Sequence, residues 1–336
     1  LESALQAFVY GDKYLAGRHF WKLAAAGDAV AQYYLAYMLD TGLGMGKDVF
    51  GAARWYAKSA DQDYLPAVVY MGYIYSTGHG VVRDDEQAFR WYTRAAQMGD
   101  AVAQNNLATM LRLGRPYKKD LNLAVQWFLQ AALQGNTRAQ YNLANAYRLG
   151  EGVKKNPPEA LKWFTFAANQ GDMYAQYALA SMHRTGDGLP VNVNTAVDWY
   201  RRAAEQGHLP SQFALASMYE EGVVPGAGSA EAVIWYYQAA EKGHDKSQYK
   251  LARLYELGRG VPRDFKEALR WYKRAAEENN NTLAMVALGE LYEGQSKDDS
   301  LDTRALDWYR KAADYGDPLG QMEMGRLYRD SLGVSG

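Results

Sequence analysis

The sequence predicts an all-α protein, an α-solenoid of stacked antiparallel helix pairs with a period of about 36 residues. Two recurrences carry that expectation. The nine tryptophans are Trp21, Trp55, Trp91, Trp127, Trp163, Trp199, Trp235, Trp271 and Trp308, with successive spacings of 34, 36, 36, 36, 36, 36, 36 and 37. A Leu or Met followed by Ala or Gly keeps the same beat, from Leu35-Ala36 and Met71-Gly72 to Leu288-Gly289 and Met324-Gly325. Self-similarity at periods of roughly 20–50 residues marks solenoids, propellers or arrays. No segment alternates with the period of a strand. Length alone, 336 residues, suggests two domains, but the repeat argues for one repeat domain over 1–336.

The copy around Leu251 shows how each helix is specified. Ser247, Leu251, Leu254 and Tyr255 lie at i, i+4, i+7 and i+8, one apolar helix face. Ala268, Trp271, Tyr272 and Ala275 form a second such face. Between them, Gly258 and Gly260 suit a helix C-terminus, Pro262 prevents continuation, and Asp264 is placed to cap the next helix. Small residues such as Ala252 and Ala268 let helix backbones approach, with Trp271 and Tyr272 filling the space around them. All nine tryptophans are expected in the packed interior. The expected layout is a half repeat at 1–27 that starts inside a second helix, eight helix pairs over about 28–316, and a half repeat at 317–336. The stretch "GAGSA" (226–230) lacks the usual capping Asp.

The string "AQYxLAxMYxxGxGVxxDxxxAxxWYxxAA", best kept in residues 139–168 and 247–276, resembles the Sel-one-like repeat, a relative of the tetratricopeptide repeat. The resemblance covers essentially the whole chain. It implies a right-handed superhelix with first helices lining a concave groove, and a non-catalytic adaptor that binds another protein there. Some members are similar to immunity proteins that block phospholipase toxins delivered by type VI secretion. On that resemblance the partner expected is a toxic effector enzyme. An adaptor role in an envelope, polysaccharide-export or host-interaction complex is the alternative, and a groove-sited enzyme or ligand binder is a remote one. The bacterial periplasm or cell envelope is the expected location, with the cytoplasm as alternative. The chain begins at Leu1, so an upstream segment is expected, whether an export signal, a lipid anchor or the rest of a longer chain.

Composition narrows the chemistry. Lys+Arg number 37 against 38 Asp+Glu, a net charge of -1, which offers no overall basic excess for a nucleic acid. There is no cysteine, hence no disulfide, thiolate metal site or thiol nucleophile. No run of about 18 apolar residues is present, so no membrane span is expected. The five histidines, His19, His79, His183, His208 and His244, are scattered among repeats. His208 and His244 hold equivalent turn positions suited to a polar residue. "GLGMG" (42–46) follows a helix rather than a strand, which argues against a dinucleotide loop. No catalytic residue, cofactor or metal is expected, and the protein alone is expected to be monomeric.

Candidate contact residues come from exposed first-helix positions. Five residues after the recurrent Leu or Met stand Asp40, Ser76, Arg112, Arg148, Arg184, Glu220, Glu256, Glu293 and Arg329. Three arginines followed by three glutamates suggest a basic stripe and then an acidic one. Residues 101–156 hold eight Lys+Arg against Asp120 and Glu151, and residues 277–307 hold eight acids against Lys297 and Arg304. Such polarity steers and orients a complementary partner. Two residues after the Leu or Met, Tyr37 and Tyr73 occur only in the first two copies. The expected contact set is Tyr37, Tyr73, Arg112, Arg148, Arg184, Glu220, Glu256 and Glu293.

Overall fold

The computed structural model describes residues 1–226, 228–295 and 303–331. Among the described residues there are 19 helices and no strand. The packing falls into two compact units. The first, Leu1–Gln170, holds α1 (Glu2–Tyr10), α2 (Lys13–Ala25), α3 (Ala29–Thr41), α4 (Val49–Asp61), α5 (Leu65–Thr77), α6 (Asp85–Gln97), α7 (Ala101–Leu113), α8 (Leu121–Leu133), α9 (Thr137–Leu149) and α10 (Pro157–Asn169). The second, Gly171–Gly336, holds α11 (Met173–Thr185), α12 (Val193–Glu205), α13 (Leu209–Glu220), α14 (Ser229–Glu241), α15 (Asp245–Leu257), α16 (Phe265–Asn279), α17 (Thr282–Gln295), α18 (Thr303–Asp314) and α19 (Pro318–Ser331). Odd-numbered helices from α3 onward carry the Leu/Met-small pair, and even-numbered helices carry the tryptophan. Within each unit a helix packs on the helices just before and after it in the chain, the local pattern of a solenoid.

Punctuation follows local chemistry. The side chains of Asp48, Asp120 and Asn192 accept a backbone N–H at the start of α4, α8 and α12, and Asp28 and Asp100 do so for α3 and α7. At α14 the capping Asp is missing, and Glu231 substitutes by accepting the Gly228 N–H at 2.7 Å. That bond and its own N–H hold the Glu231 carboxyl below the usual range. The paired glycines of the loops divide their labour. Gly150 closes α9 in the left-handed region. Gly152, also at positive φ, lies where a Cβ would be 2.2 Å from the Leu121 carbonyl oxygen. Gly44 of "GLGMG" meets the Lys13 backbone in the same way, so this motif is a contact between repeats.

Two expectations change at the level of packing. The expected half repeat at 1–27 is a complete pair: α2 carries Trp21, and α1 stands in the first-helix place with Phe8 edge-on to Phe20. The sequence hides α1 because no Leu/Met-small pair marks it. Of the nine tryptophans, only Trp163, Trp271 and Trp308 are core; five are half-buried and Trp21 is 54% exposed. The fully enclosed aromatic is the next residue, as in Tyr56, Phe128, Phe164, Tyr236, Tyr272 and Tyr309. Successive helical residues point about 100° apart, so the two rings cannot share one direction. Each inward ring is worth roughly 1.5–3 kcal/mol of burial. Elsewhere the tryptophan instead covers the seam with its neighbour, as Trp21 does against Trp55 at 5.9 Å. A cation three residues on lies over it, for example Lys58 on Trp55 and Arg202 on Trp199.

A buried glutamine ties successive pairs. Gln32, Gln104, Gln140, Gln212 and Gln248 donate to carbonyls of the preceding even helix, Ala24, Ala96, Ala132, Ala204 and Ala240, at 3.0–3.2 Å. The amide oxygens of Gln32, Gln104 and Gln140 accept from Gln62, Gln134 and Gln170 at 2.7–2.9 Å. One side chain thus joins three helices with both of its polar atoms satisfied, which buried amides require. Among the described residues no helix is long and apolar enough to cross a membrane.

A candidate partner-binding face on the first helices

The residue five after the recurrent Leu or Met meets its own repeat's inward aromatic, sixteen positions on. In three repeats of the second unit that residue is an acceptor. The Tyr236 hydroxyl donates to Glu220 Oε2 at 2.8 Å, Tyr272 to Glu256 at 2.7 Å, and Tyr309 to Glu293 at 2.9 Å. Burial pushes all three phenols up, and the adjoining carboxylate adds to the shift. Neighbouring cations then neutralise two of the acids. Lys250 Nζ reaches Glu220 at 3.0 Å, and Arg326 forks onto both Glu293 oxygens at 2.7 and 2.8 Å. Arg184 forks onto Glu221 at 3.2 and 3.0 Å. The glutamates expected as an acidic docking stripe are therefore spent largely inside the fold. Lys297, Asp298, Asp299 and Asp302 of the expected acidic segment lie outside the described residues.

The first unit differs. Arg112 and Arg148 stand beside Phe128 and Phe164, rings without a hydroxyl. Among the described residues neither arginine is in an ion pair, and the buried Nε of each has no hydrogen-bond partner. Arg148 donates from Nη2 to Asn145 Oδ1 at 3.2 Å, and Asn142 donates to Asn105 Oδ1 at 3.0 Å. Arg112, Tyr141, Asn142, Asn145, Leu149 and Glu151 line a concavity of about 300 Å³. A second concavity of about 350 Å³, one repeat earlier, includes Tyr73, Asn106, Arg115 and Arg138. Tyr37 and Tyr73 are exposed. Beneath Tyr73, the buried Asp40 accepts from the Tyr70 hydroxyl at 2.6 Å and from His79 Nε2 at 2.5 Å. Arg112, Arg148, Tyr37 and Tyr73 thus belong to the first unit, and Arg184 and the three glutamates to the second.

Eight successive matches to the Sel1 repeat model fall at 29–64, 65–100, 101–136, 137–172, 174–208, 209–244, 245–280 and 282–317. The chain belongs to the Sel1-repeat family. A Sel1-repeat protein from Oxalobacter formigenes is 30% identical over 86% of this chain and 86% of its own, with a TM-score of 0.70. A protective antigen of uropathogenic Escherichia coli with the same fold, c5321, is 30% identical over 95% of this chain and 76% of its own, with a TM-score of 0.54. The Pseudomonas aeruginosa immunity protein Pa5087 is 21% identical over 68% of this chain and 81% of its own, with a TM-score of 0.37; at that level it does not bear on the partner. No curated protein sequence matches the chain. The Sel1-repeat architecture is a scaffold suited to protein–protein interaction.

Sequence reasoning missed Asn105, Asn142, Asn145, Tyr70 and Lys250. For Tyr70, Asn142 and Lys250 the signal lay in the column one before the Leu or Met, which reads Tyr34, Tyr70, Asn106, Asn142, Ala178, Ala214, Lys250, Ala287 and Glu323. In the Sel1 stack that position meets the preceding repeat's fifth position, thirty residues back, as in Tyr70–Asp40 and Lys250–Glu220. His208 and His244 sit as N-caps of α13 and α15, with His244 Nδ1 accepting the Ser247 N–H at 3.3 Å. Among the described residues no group of three or more His, Asp or Glu could hold a metal ion.

Proposed function

We propose that this Sel1-repeat chain is a non-catalytic scaffold that docks a partner protein on the first-helix face of its first unit. One observation carries the reading. Of the eight cations in residues 101–156, none is in an ion pair among the described residues. In the second unit, Arg184, Lys250 and Arg326 are each paired. Unpaired like charges repel one another, and an oppositely charged partner relieves that repulsion and is steered by it. Exposed Tyr37 and Tyr73 on the same series of helices are of the residue type enriched at interface hot spots. In its sharpest form the partner is a phospholipase-type toxic effector, and the scaffold acts as its immunity protein. Covering an active site needs only a complementary surface of about 800 Å² per partner and no chemistry.

The test is affinity capture from a lysate of the source organism, followed by binding of the purified partner. The wild type is compared with Tyr37→Ala/Tyr73→Ala, with Arg112→Glu/Arg148→Glu, and with Arg94→Ala on an even-numbered helix. Retention by wild type and Arg94→Ala, with loss in the first-helix variants, supports the reading. Equal retention by all four overturns it. Inhibition of a captured enzyme by the scaffold identifies immunity; a captured protein with undiminished activity identifies an adaptor.

A further inference from the structure

The docking face contains a site whose ligand chemistry is legible. Arg112 and Arg148 occupy the same position in successive repeats, and both border Asn145: Arg148 donates to its Oδ1, and Arg112 lines the concavity it helps form. Each guanidinium is a planar fork of five N–H donors. Arg148 uses one of them on Asn145, and Arg112 has no partner among the described residues. Neither Nε is solvated, so those two donors have lost water without gaining an acceptor. The remaining guanidinium donors of Arg112, at the wall of the concavity, are occupied by no acceptor among the described residues. The inward aromatics point the same way. Phe128 and Phe164 stand where five repeats have a tyrosine meeting this position or the residues beside it, so nothing inside the fold competes for these arginines.

We infer that this concavity binds a carboxylate of an acidic segment of the partner protein, received by the Arg112 guanidinium, with Arg148, bonded to Asn145 of the lining, adding positive charge beside it. The inference rests on the docking reading and names its chemistry. Guanidinium and carboxylate match as two parallel N–H···O bonds. Glu151 lies in the same lining, and its negative charge opposes a dianionic phosphate more than a single carboxylate. The concavity of about 300 Å³ has room for a glutamate side chain. Tyr141 and Leu149 supply an apolar wall for the methylenes of a glutamate.

The probe is a rhodamine-labelled hexaglutamate peptide, followed by fluorescence anisotropy at low ionic strength, with hexaglutamine as control. Wild-type protein is expected to bind hexaglutamate and not hexaglutamine. Arg112→Gln/Arg148→Gln is expected to bind at least about tenfold more weakly, the loss of one charge-assisted bidentate contact. Arg112→Lys/Arg148→Lys, which keeps the charge and loses the fork, should fall between. Lys118→Gln/Lys119→Gln removes the same charge from the same segment and should change affinity less than about twofold if a built site, and not the general field, does the binding. Equal losses in the two Gln pairs, no binding by wild type, or stronger competition by inorganic phosphate or oligothymidylate than by free hexaglutamate would each overturn the assignment. All variants are checked for unchanged helicity. If the captured partner binds Arg112→Gln/Arg148→Gln undiminished but loses Tyr37→Ala/Tyr73→Ala, docking stands and the carboxylate site falls.

Discussion

In α7 and α9 of the first unit, the residue five after the recurrent leucine is an arginine beside a phenylalanine. In α13, α15 and α17 of the second it is a glutamate beside a tyrosine. In both sets of helices a buried glutamine donates to the preceding pair, yet the position has opposite uses. A phenol buried in the pair needs an acceptor, because an unpaired buried hydroxyl is costly. The glutamate supplies it and is thereby committed to the fold. Where the ring is Phe the requirement vanishes, and the position is free of that duty. Arg184 is the mixed case: Tyr200 keeps its hydroxyl, and Arg184 is held by that phenol and by Glu221.

The largest expected effect tests whether the two stacks differ only at their faces. Trp271→Ala empties a fully enclosed site in the second unit and should cost roughly 3–5 kcal/mol. Trp21→Ala, in the exposed seam at the start of the first, should cost about 1 kcal/mol or less. Urea unfolding midpoints separate the two. Equal shifts would mean that the seam, not the inward face, holds the stack together.

Next in size is the exchange of the switch itself. Glu256→Arg puts the first unit's residue against the second unit's ring, strands the Tyr272 hydroxyl, and should cost about 1–3 kcal/mol. Adding Tyr272→Phe should recover most of that loss, since the double variant then repeats the Arg–Phe arrangement seen at Arg148 and Phe164. A double variant no more stable than Glu256→Arg alone would show that the pairing of ring and charge is coincidental.

This exchange also shows what was readable beforehand. The repeat, both helices of each pair from α3 onward, the capping Asp residues and the enclosed Ala268 and Tyr272 all follow from spacing, because helical periodicity is a property of the chain alone. The seam position of the tryptophans does not. Trp163 and Trp235 obey the same spacing, and only the neighbouring helix decides which is covered. For the candidate site, the column containing Arg112 and Glu256 was legible as a column. Its division into free and committed residues was not, since that depends on side chains sixteen and thirty residues away. Tyr37 and Tyr73 stood out because nothing else in the repeat requires an aromatic there.

A smaller effect concerns pH and belongs to the second unit. Its helices α13 and α15 start at His208 and His244, whereas α3, α7 and α9 of the first start at Asp28, Asp100 and Asn136. Burial lowers both imidazoles below the ordinary 6.5. The unfolded chain therefore takes up protons first, and stability falls as pH drops below about 6.5, toward the lowered folded values. Thermal melts at pH 7.5 and 5.5 should show a smaller acid loss in His208→Asn/His244→Asn than in wild type. A wild type that gains stability on acidification through that range would reverse the sign and dismiss the histidines as the cause.

The smallest expected effect on stability is the most informative about binding. Arg112→Glu/Arg148→Glu breaks no ion pair among the described residues and should leave the unfolding midpoint within about 0.5 kcal/mol of wild type. Arg184→Glu breaks one exposed pair with Glu221, itself worth only about 0–1 kcal/mol. In association with the partner the two should part company. Reversing Arg112 and Arg148 removes charge that no ion pair among the described residues offsets, so the on-rate should fall at low salt. The loss should shrink as salt rises and the screening length drops from about 10 Å at 0.1 M toward about 3 Å at 1 M. The field of Arg184 is already offset by Glu221 at 3.0 Å, so its reversal should slow association less. If Arg184→Glu slows binding as much as the double reversal does, a cation need not be unpaired to steer the partner, and the argument that places docking on the first unit loses its basis.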